Sequence, residues 1–293
     1  MGQSAEFGKF LKAMRARLSP EDAGATESGG SRRVPGLRRE EVARLSGVST
    51  DYYTRLEQGR NIHPSKAVLE SVSRALRLDT GEHAHMMDLL EHCASSAANP
   101  GPAQKVRPAL RQLLDAVGDV PAMVLGRRAD VLAANRMASL LLTDFSSMPA
   151  TERNLTRWTI LDDAARDLFR DWKTVAAEAV GSLRMDVGRH PNDPRTNQLV
   201  GELAVHSEHF RQWWAGHRVA TRSAGIIRLH HPVVGDLELN FETLGLPDDP
   251  DQLLRVYSAK AGSPSSDALT LLSSFGGVAT QAEVPEPARR DYS

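Results

Sequence analysis

Cysteine is almost absent from this sequence, since Cys93 is the single one in 293 residues. One cysteine excludes an intrachain disulfide and a four-cysteine zinc site, and it fits a reducing compartment. No run approaches the ~20 apolar residues that a membrane-spanning helix needs, and the first residues lack the pattern of a signal peptide. We therefore expect a cytoplasmic protein with no membrane partner.

A strong net charge is also missing, because the formal charge of the chain is −1. The charge is nevertheless unevenly spread: residues 1–78 contain 14 Lys and Arg against 9 Asp and Glu, a surplus of +5 that leaves −6 for the remainder. A basic front and an acidic rear are compatible with nucleic acid contact at one end only. The length and an apolar fraction of 41% allow two domains, each with its own core.

The most informative stretch is 37–60, which predicts two short helices and a tight turn. Apolar residues at helical spacing mark the first helix, and the small Ala43 lets a second helix cross closely over it. Gly47 supplies the left-handed backbone that the turn needs, and Ser49 or Thr50 can cap the second helix. This order of elements is that of a helix-turn-helix unit, although an ordinary αα-hairpin has the same outline.

The motif PGLRREEVARLSGVSTDYYTRLEQGR at 35–60, followed by a Pro-Ser pair and an apolar helix, resembles the bacterial Cro/repressor-type (XRE) DNA-binding domain. This resemblance implies an all-α helix-turn-helix domain of five helices over 1–94, whose second motif helix enters the major groove of a double-stranded DNA operator. It also implies a bridge between Arg15 and Glu57, which join Ala43 and Gly47 as structural residues. The alternative is that both charges are solvated.

Eight residues in and around the second motif helix are candidates for DNA contact. Those on the helix lie nearest to the bases, and the flanking ones would meet phosphates or outer bases. A homodimer would read two half-sites about 34–36 Å apart. Whether the loop expected at 19–36 touches DNA is left open. The candidates are Arg38, Arg39, Thr50, Asp51, Tyr52, Arg55, Arg60 and Asn61.

The second half predicts an α+β domain. Residues 95–105 are small and polar and indicate a linker, 106–275 form the domain, and 276–293 are expected to be a disordered tail. Alternating apolar residues predict an antiparallel sheet with one polar face. We expect helices at 107–117, 163–184 and from 194 to about 217, and strands at 122–126, 130–134, 225–231, 236–244 and 253–259.

No motif for nucleophilic or phosphate chemistry occurs in this half. Glu202, His206 and His209 share one helix face and are the best metal candidate, but a solvated or capping role is favoured. We therefore expect no catalytic residue, no metal and no enzyme activity. Two alternatives are kept: a DNA-binding domain fused to an enzyme that acts on a small acyl substrate, and a protein-interaction adaptor.

Several segments resemble the C-terminal domain of the MmyB-like regulators. The resemblance implies a PAS-like domain, in which helices and a small antiparallel sheet surround an apolar cavity for a fatty-acid-like ligand; no other cofactor is expected. Two positions depart from the pattern, since Ile160 stands where an aromatic is expected and Phe241 where a tyrosine is expected. The segments are Asn154-Leu155-x-Arg157, Asp162-x-x-Ala165-Arg166-x-Leu168-x-x-Asp171-Trp172, Leu183-Arg184, Phe210-x-x-Trp213-x-x-His217 and His231-Pro232-x-x-Gly235-x-Leu237.

Seven residues of this domain are candidates for the ligand pocket. The aromatic ones can be core, pocket or dimer face, and the two arginines can meet a carboxylate, cap a helix or bridge an aspartate. The candidates are Arg157, Phe169, Trp172, Arg184, Phe210, Trp213 and Phe241.

Overall fold

The structure is a computed structural model that describes residues 3–23, 36–60, 64–91, 104–191, 193–216 and 223–275. The predicted DNA contact Asn61, Cys93, His217, most of the loop at 19–36, most of the linker at 95–105 and the tail at 276–293 lie outside these residues. The described part forms two domains, a helical N-terminal one, called the head, and a second one built on a sheet.

Five helices form the described part of the head, as expected. They are α1 (Gln3–Arg17), α2 (Arg39–Ser46), α3 (Thr50–Glu57), α4 (Lys66–Ala75) and α5 (Thr80–Glu91). Phe10 and Leu11 of α1 are fully buried against Val42 of α2 and Tyr53 of α3. The two helices of the helix-turn-helix therefore pack on α1 through a shared hydrophobic core.

The turn between α2 and α3 has the predicted local structure. Gly47 has a φ of 70°, which a residue with a Cβ adopts only with strain. The side chain of Ser49 then accepts a hydrogen bond from the Tyr52 amide at 3.1 Å, so Ser49 and not Thr50 caps α3. Ala43 is 1% exposed and lies in the core, as the close crossing of two helices requires.

The second domain contains a five-stranded sheet, and every described strand pair is antiparallel. The strands are β1 (Ala122–Leu125), β2 (Val131–Ala134), β3 (Ala224–His231), β4 (Gly235–Leu246) and β5 (Asp249–Ser258), in the order β2-β1-β5-β4-β3. Leu237, Leu239 and Phe241 are buried on one face of β4, and the residues between them are exposed on the other. The predicted alternation is therefore confirmed.

Helices cover both faces of this sheet. Helix α6 packs on one face against β1 and β5, and residues of α7, α8, α9 and α13 fill the core on the other. Together these elements give the α+β domain with an antiparallel sheet that was expected. The helices are α6 (Pro108–Ala116), α7 (Arg136–Leu141), α8 (Leu155–Leu161), α9 (Asp163–Leu168), α10 (Trp172–Arg189), α11 (Pro194–His206), α12 (Glu208–Ala215) and α13 (Pro264–Phe275).

Two long helices predicted from the pattern are wrong, because each is interrupted. The stretch 163–184 breaks between α9 and α10, where Phe169 forms an antiparallel bridge with Leu229 and the Arg170 amide donates to Arg228 O at 3.0 Å. The helix from 194 to 217 breaks at Ser207, whose side chain caps α12 by accepting from the Phe210 amide. Both interruptions preserve the apolar spacing, so periodicity alone did not reveal them.

Candidate DNA-contact surface and candidate ligand site

A buried carboxylate fixes the position of α3 in the head. The side chain of Glu57 is 1% exposed, and its Oε1 accepts a hydrogen bond from Arg15 Nε at 2.7 Å. Its Oε2 accepts from Arg39 Nε. The bridge predicted between Arg15 and Glu57 is present, and this Glu57 cluster (Arg15, Arg39, Glu57) joins α1, α2 and α3.

Arg39 therefore has a partner that the sequence did not indicate. It was a candidate for phosphate contact, yet its guanidinium is bonded to Glu57 while 44% of its side chain stays exposed. Gly8 was also missed: a Cβ at this position would lie 2.3 Å from Glu57 O, so α1 passes α3 too closely for any other residue. A glycine in the middle of a helical pattern is the signal that could have found it.

The outer face of α3 carries the base-contact candidates. Thr50, Asp51 and Arg55 are exposed, and Arg55 Nη2 lies 2.8 Å from Asp51 Oδ2 one helical turn away. Tyr52 is half-buried and packs against the core of the head, so it lies at the flank of this face. Three of the four predicted base contacts thus share one solvent-facing surface.

The flanking candidates lie at the edges of the same surface. Arg38 precedes α2, and its amide donates to Glu41 Oε2 at 2.6 Å, which closes the start of that helix. Its Nη1 is 3.5 Å from Glu40 in a weak, exposed pair. Arg60 follows α3 and is exposed. The side chains of both arginines are therefore accessible to solvent beside the outer face of α3.

The seven ligand-pocket candidates fall into two hydrophobic clusters rather than one. Phe169 and Phe241 belong to the sheet cluster, the core between the sheet and α7, α8, α9 and α13. Phe210 and Trp213 belong to the helical cluster, which α8, α10, α11 and α12 enclose. Trp172 packs against both clusters. The two departures from the family pattern are divided in the same way, with Ile160 in the helical cluster and Phe241 in the sheet cluster.

The rings at the junction of the clusters are in direct contact. The ring centres of Trp172 and Trp213 are 5.8 Å apart, and His209 lies 5.4 Å from each of them. Trp172 also donates from Nε1 to Thr159 O at 2.7 Å, which holds the start of α10 on α8. His209, part of the metal candidate, thus lies beside two indole rings.

The two candidate arginines have different surroundings. Arg157 Nε donates to Glu202 Oε1 at 2.8 Å, and its Nη1 lies 3.3 Å from Glu152. Arg184 is 4% exposed, lies 4.1 Å over the Trp214 ring and donates to the Trp214 carbonyl. Burial lowers the pKa of Arg184 to about 10, so its guanidinium remains charged at neutral pH. Glu202, the second member of the metal candidate, is engaged by Arg157.

The described part of the chain contains a cavity of about 430 Å³ between α4 and α5 of the head. None of the seven ligand-pocket candidates lines this cavity. Within the described residues, no group of three or more His, Cys, Asp or Glu is arranged to hold a metal ion. Nor does any helix there combine the length and the apolar character needed to span a bilayer.

Comparison with known families matches both domains. Residues 106–272 match the family model described as the MmyB-like transcription regulator ligand binding domain. Residues 6–86 match the model described as a helix-turn-helix domain. The comparison with curated proteins returned no match. The two matched regions correspond to the head and to the sheet-containing domain.

Proposed function

The chain belongs to the MmyB-like transcription regulators, and from that premise we propose that it binds a DNA operator as a homodimer under the control of a fatty-acid-like ligand. It is a transcription regulator that combines a helix-turn-helix domain with a ligand-binding domain. The proposal has five parts. The protein binds an operator, forms a dimer, binds a fatty-acid-like ligand, is cytoplasmic and has no enzyme activity.

The observation that carries the DNA proposal is the exposed face of α3 above a buried anchor. The Glu57 cluster holds α3 from within, while Arg55 and Asp51 point outward with side chains 55% and 71% exposed. An arginine pairs with guanine O6 and N7, and an aspartate accepts from cytosine N4. We assign Thr50, Asp51 and Arg55 to the bases, Tyr52 to the flank, and Arg38, Arg39, Arg60 and Asn61 to phosphates.

The small size of this surface supports the proposed dimer. Helix α3 has eight residues, so it spans only about 12 Å and contacts few base pairs. Repressors of this type gain affinity by placing two such helices in successive major grooves, about 34–36 Å apart. We therefore assign one half-site to each subunit.

For the ligand, the helical cluster beside Trp172 offers the better site. Phe210 and Trp213 supply apolar surface, and Arg184 supplies a charged group in the same region with 4% exposure. A carboxylate there would bind in a site of low dielectric, where a charged hydrogen bond is strong. Arg157 is already paired with Glu202, whose carboxylate would compete with that of a ligand. Phe169 and Phe241 would support the site from the sheet cluster.

The DNA proposal is tested by gel-shift titration at fixed salt, with a duplex selected by the protein from a random-sequence pool. Arg55→Ala is expected to weaken binding to the selected duplex by about tenfold to a hundredfold and to change binding to random DNA little. Arg60→Ala is the matched control, because loss of a phosphate contact weakens both duplexes alike. Equal losses for Arg55→Ala on the two duplexes would overturn the base contact.

The ligand and dimer proposals are tested by native mass spectrometry of the protein as purified, followed by calorimetric titration with laurate. A dimer mass that retains a small carboxylic acid is the expected result. Arg184→Gln should weaken laurate binding about tenfold, while Arg153→Gln, outside both clusters, should not. A monomer at micromolar concentration would contradict the dimer, and unchanged laurate affinity in Arg184→Gln would contradict the ligand site.

A further inference from the structure

One helix, α10, is buried in both domains. Its first residue, Trp172, packs against the sheet cluster and the helical cluster of the second domain. Met185, 13 residues later, is 3% exposed and lies within the hydrophobic core of the head. A rigid helix of this length places the two side chains about 20 Å apart along its axis. The same helix therefore reaches the proposed ligand site and the DNA-binding head.

The contact between α10 and α5 of the head is closely fitted. A Cβ on Gly188 would lie 2.7 Å from Cε1 and Nδ1 of the His85 ring, so a larger residue cannot be accepted without movement. The His85 ring in turn meets Phe10 edge to face, with ring centres 5.3 Å apart. Phe10 is 1% exposed, so the contact continues into α1 and the centre of the head.

An ion pair lies at the edge of this contact. Arg189 Nε donates to Asp88 Oδ2 at 3.2 Å, one residue beyond Gly188. Exposed pairs of this kind contribute little energy, but this one adds a polar contact between α10 and α5 beside the apolar ones. Apolar insertion, close helix approach and a charge pair thus act at three successive parts of the same interface.

From these contacts we propose that α10 couples the two sites, so that a displacement of Trp172 is transmitted through Gly188 and His85 to the head. The proposal rests on the proposed function, because it presumes that both domains bind a partner. Closely packed interfaces shift between discrete arrangements rather than deform continuously. Helix α5 must therefore follow any change in the axis of α10, and the setting of α3 relative to a second subunit changes with it.

Coupling of this kind is reciprocal, which makes it measurable without a known ligand. If a ligand in the second domain changes DNA affinity by some factor, then DNA changes the affinity for that ligand by the same factor. Bound DNA must therefore bias the conformation of the second domain even when no ligand is present. The sequence provides the probe, since its four tryptophans, Trp158, Trp172, Trp213 and Trp214, all lie in the second domain. Binding of DNA to the head should therefore change their fluorescence through α10.

The experiment is a titration of the full chain with a labelled duplex selected from a random-sequence pool, in which label anisotropy reports binding and tryptophan emission reports coupling. The wild type should show a saturable emission change at the same duplex concentration as the anisotropy change. Gly188→Ala should lose at least half of the emission change while its duplex affinity stays within about twofold. Gly201→Ala, on α11 with open space around its Cβ, is the matched control and should behave as the wild type.

The possible outcomes distinguish a failure of the coupling from a failure of DNA binding. Duplex binding without an emission change in the wild type, or an unaltered change in Gly188→Ala, overturns the coupling and leaves DNA binding intact. A failure to bind any duplex overturns the proposed function, and the coupling with it. If circular dichroism shows that Gly188→Ala does not fold, Arg189→Ala replaces it, with a partial loss of the emission change expected and an unaltered change counting against the coupling.

Discussion

The head and the second domain both bury a charge cluster, but with opposite signs at the centre. In the head the carboxylate of Glu57 is central, and its two arginines are 12% and 44% exposed. In the second domain Arg128 is central, and it donates to Asp193 and to Asp130, which are 6% and 27% exposed. The Glu57 cluster stays in touch with water through Arg39, whereas the Arg128 cluster is nearly closed.

The difference in solvent exposure between the two clusters corresponds to a difference in their structural roles. The Glu57 cluster lies beneath α3 and ties three helices to one point, which a DNA-contact surface needs. The Arg128 cluster instead stabilises an unusual loop between β1 and β2, where Arg128 and Ala129 have φ values of 60° and 63°. Such backbone is costly for residues with a Cβ and persists only when its surroundings hold it in place.

The largest expected effect of a substitution is at Arg128. Arg128→Ala removes the nearer of the two cations that pair with the buried Asp193 and leaves only Arg127, whose Nη2 lies 3.7 Å away. It should cost about 3–5 kcal/mol of unfolding free energy. Tryptophan fluorescence during urea unfolding measures this, because all four tryptophans are in the second domain. Arg228→Ala, which removes exposed pairs with Asp171 and Glu238, should cost about 1 kcal/mol or less. Equal costs for the two variants would show that the Arg128 cluster is not closed.

Glu57→Gln should have a smaller effect, about 2–3 kcal/mol, below the usual range for a buried pair because Arg39 can turn toward water. Urea unfolding monitored by circular dichroism measures this loss of stability. The DNA affinity of the variant should fall as well. Glu40→Gln changes a carboxylate that is 62% exposed and serves as control. A loss of stability larger than that of Arg128→Ala would reverse the comparison between the two clusters.

Helix caps extend the comparison to neutral groups. Asn154 caps α8 and also donates to Arg128 O and to Asp130 at 2.8 Å each, so Asn154→Ala should cost about 2–3 kcal/mol. Ser49 is exposed and makes one capping bond to α3, so Ser49→Ala should cost about 1 kcal/mol and also weaken DNA binding. Thermal unfolding of the two variants checks the order, and a larger cost at Ser49 would contradict it.

The smallest effect concerns pH. Burial raises the pKa of Asp186, a residue of α10 that faces Arg127, Arg128 and His190. A carboxyl with a raised pKa binds its proton more tightly in the folded state, so its charged form lowers stability as the pH rises through that pKa. Asp186→Asn should therefore stabilise the second domain slightly at pH 7, and the gain should shrink toward pH 4. A gain independent of pH would assign it to packing instead of charge.

The head was more accessible to sequence reasoning than the second domain. The turn at Gly47, the cap at Ser49 and the bridge from Arg15 to Glu57 all follow from short-range chemistry or from a specific motif, and each is present. The approach of Gly8 to Glu57 was missed because it depends on the crossing of two helices distant in sequence. Helix caps and turns can thus be predicted from neighbouring residues. Close contacts between helices that are distant in sequence are harder to predict in this way.

In the second domain, the strands were predicted and the arrangement of the aromatic residues was not. Alternation in β3 and β4 identifies the buried face directly. The separation of Phe169 from Phe210 depends instead on the bridge between Phe169 and Leu229, residues 60 positions apart. No periodicity within 163–184 contains that information. Residues predicted on this one helix, such as Phe169 and Val180, therefore belong to two clusters in the fold.

Contact between the exposed face of α3 and DNA underlies both the proposed regulation and the proposed coupling. Hydrogen–deuterium exchange of the full chain, with and without a saturating selected duplex, tests it most directly. Slower exchange is expected at 49–58, with a weaker change around Met185 and Gly188 and none in β4. Unchanged exchange at 49–58 while the duplex is bound would show that α3 does not contact DNA.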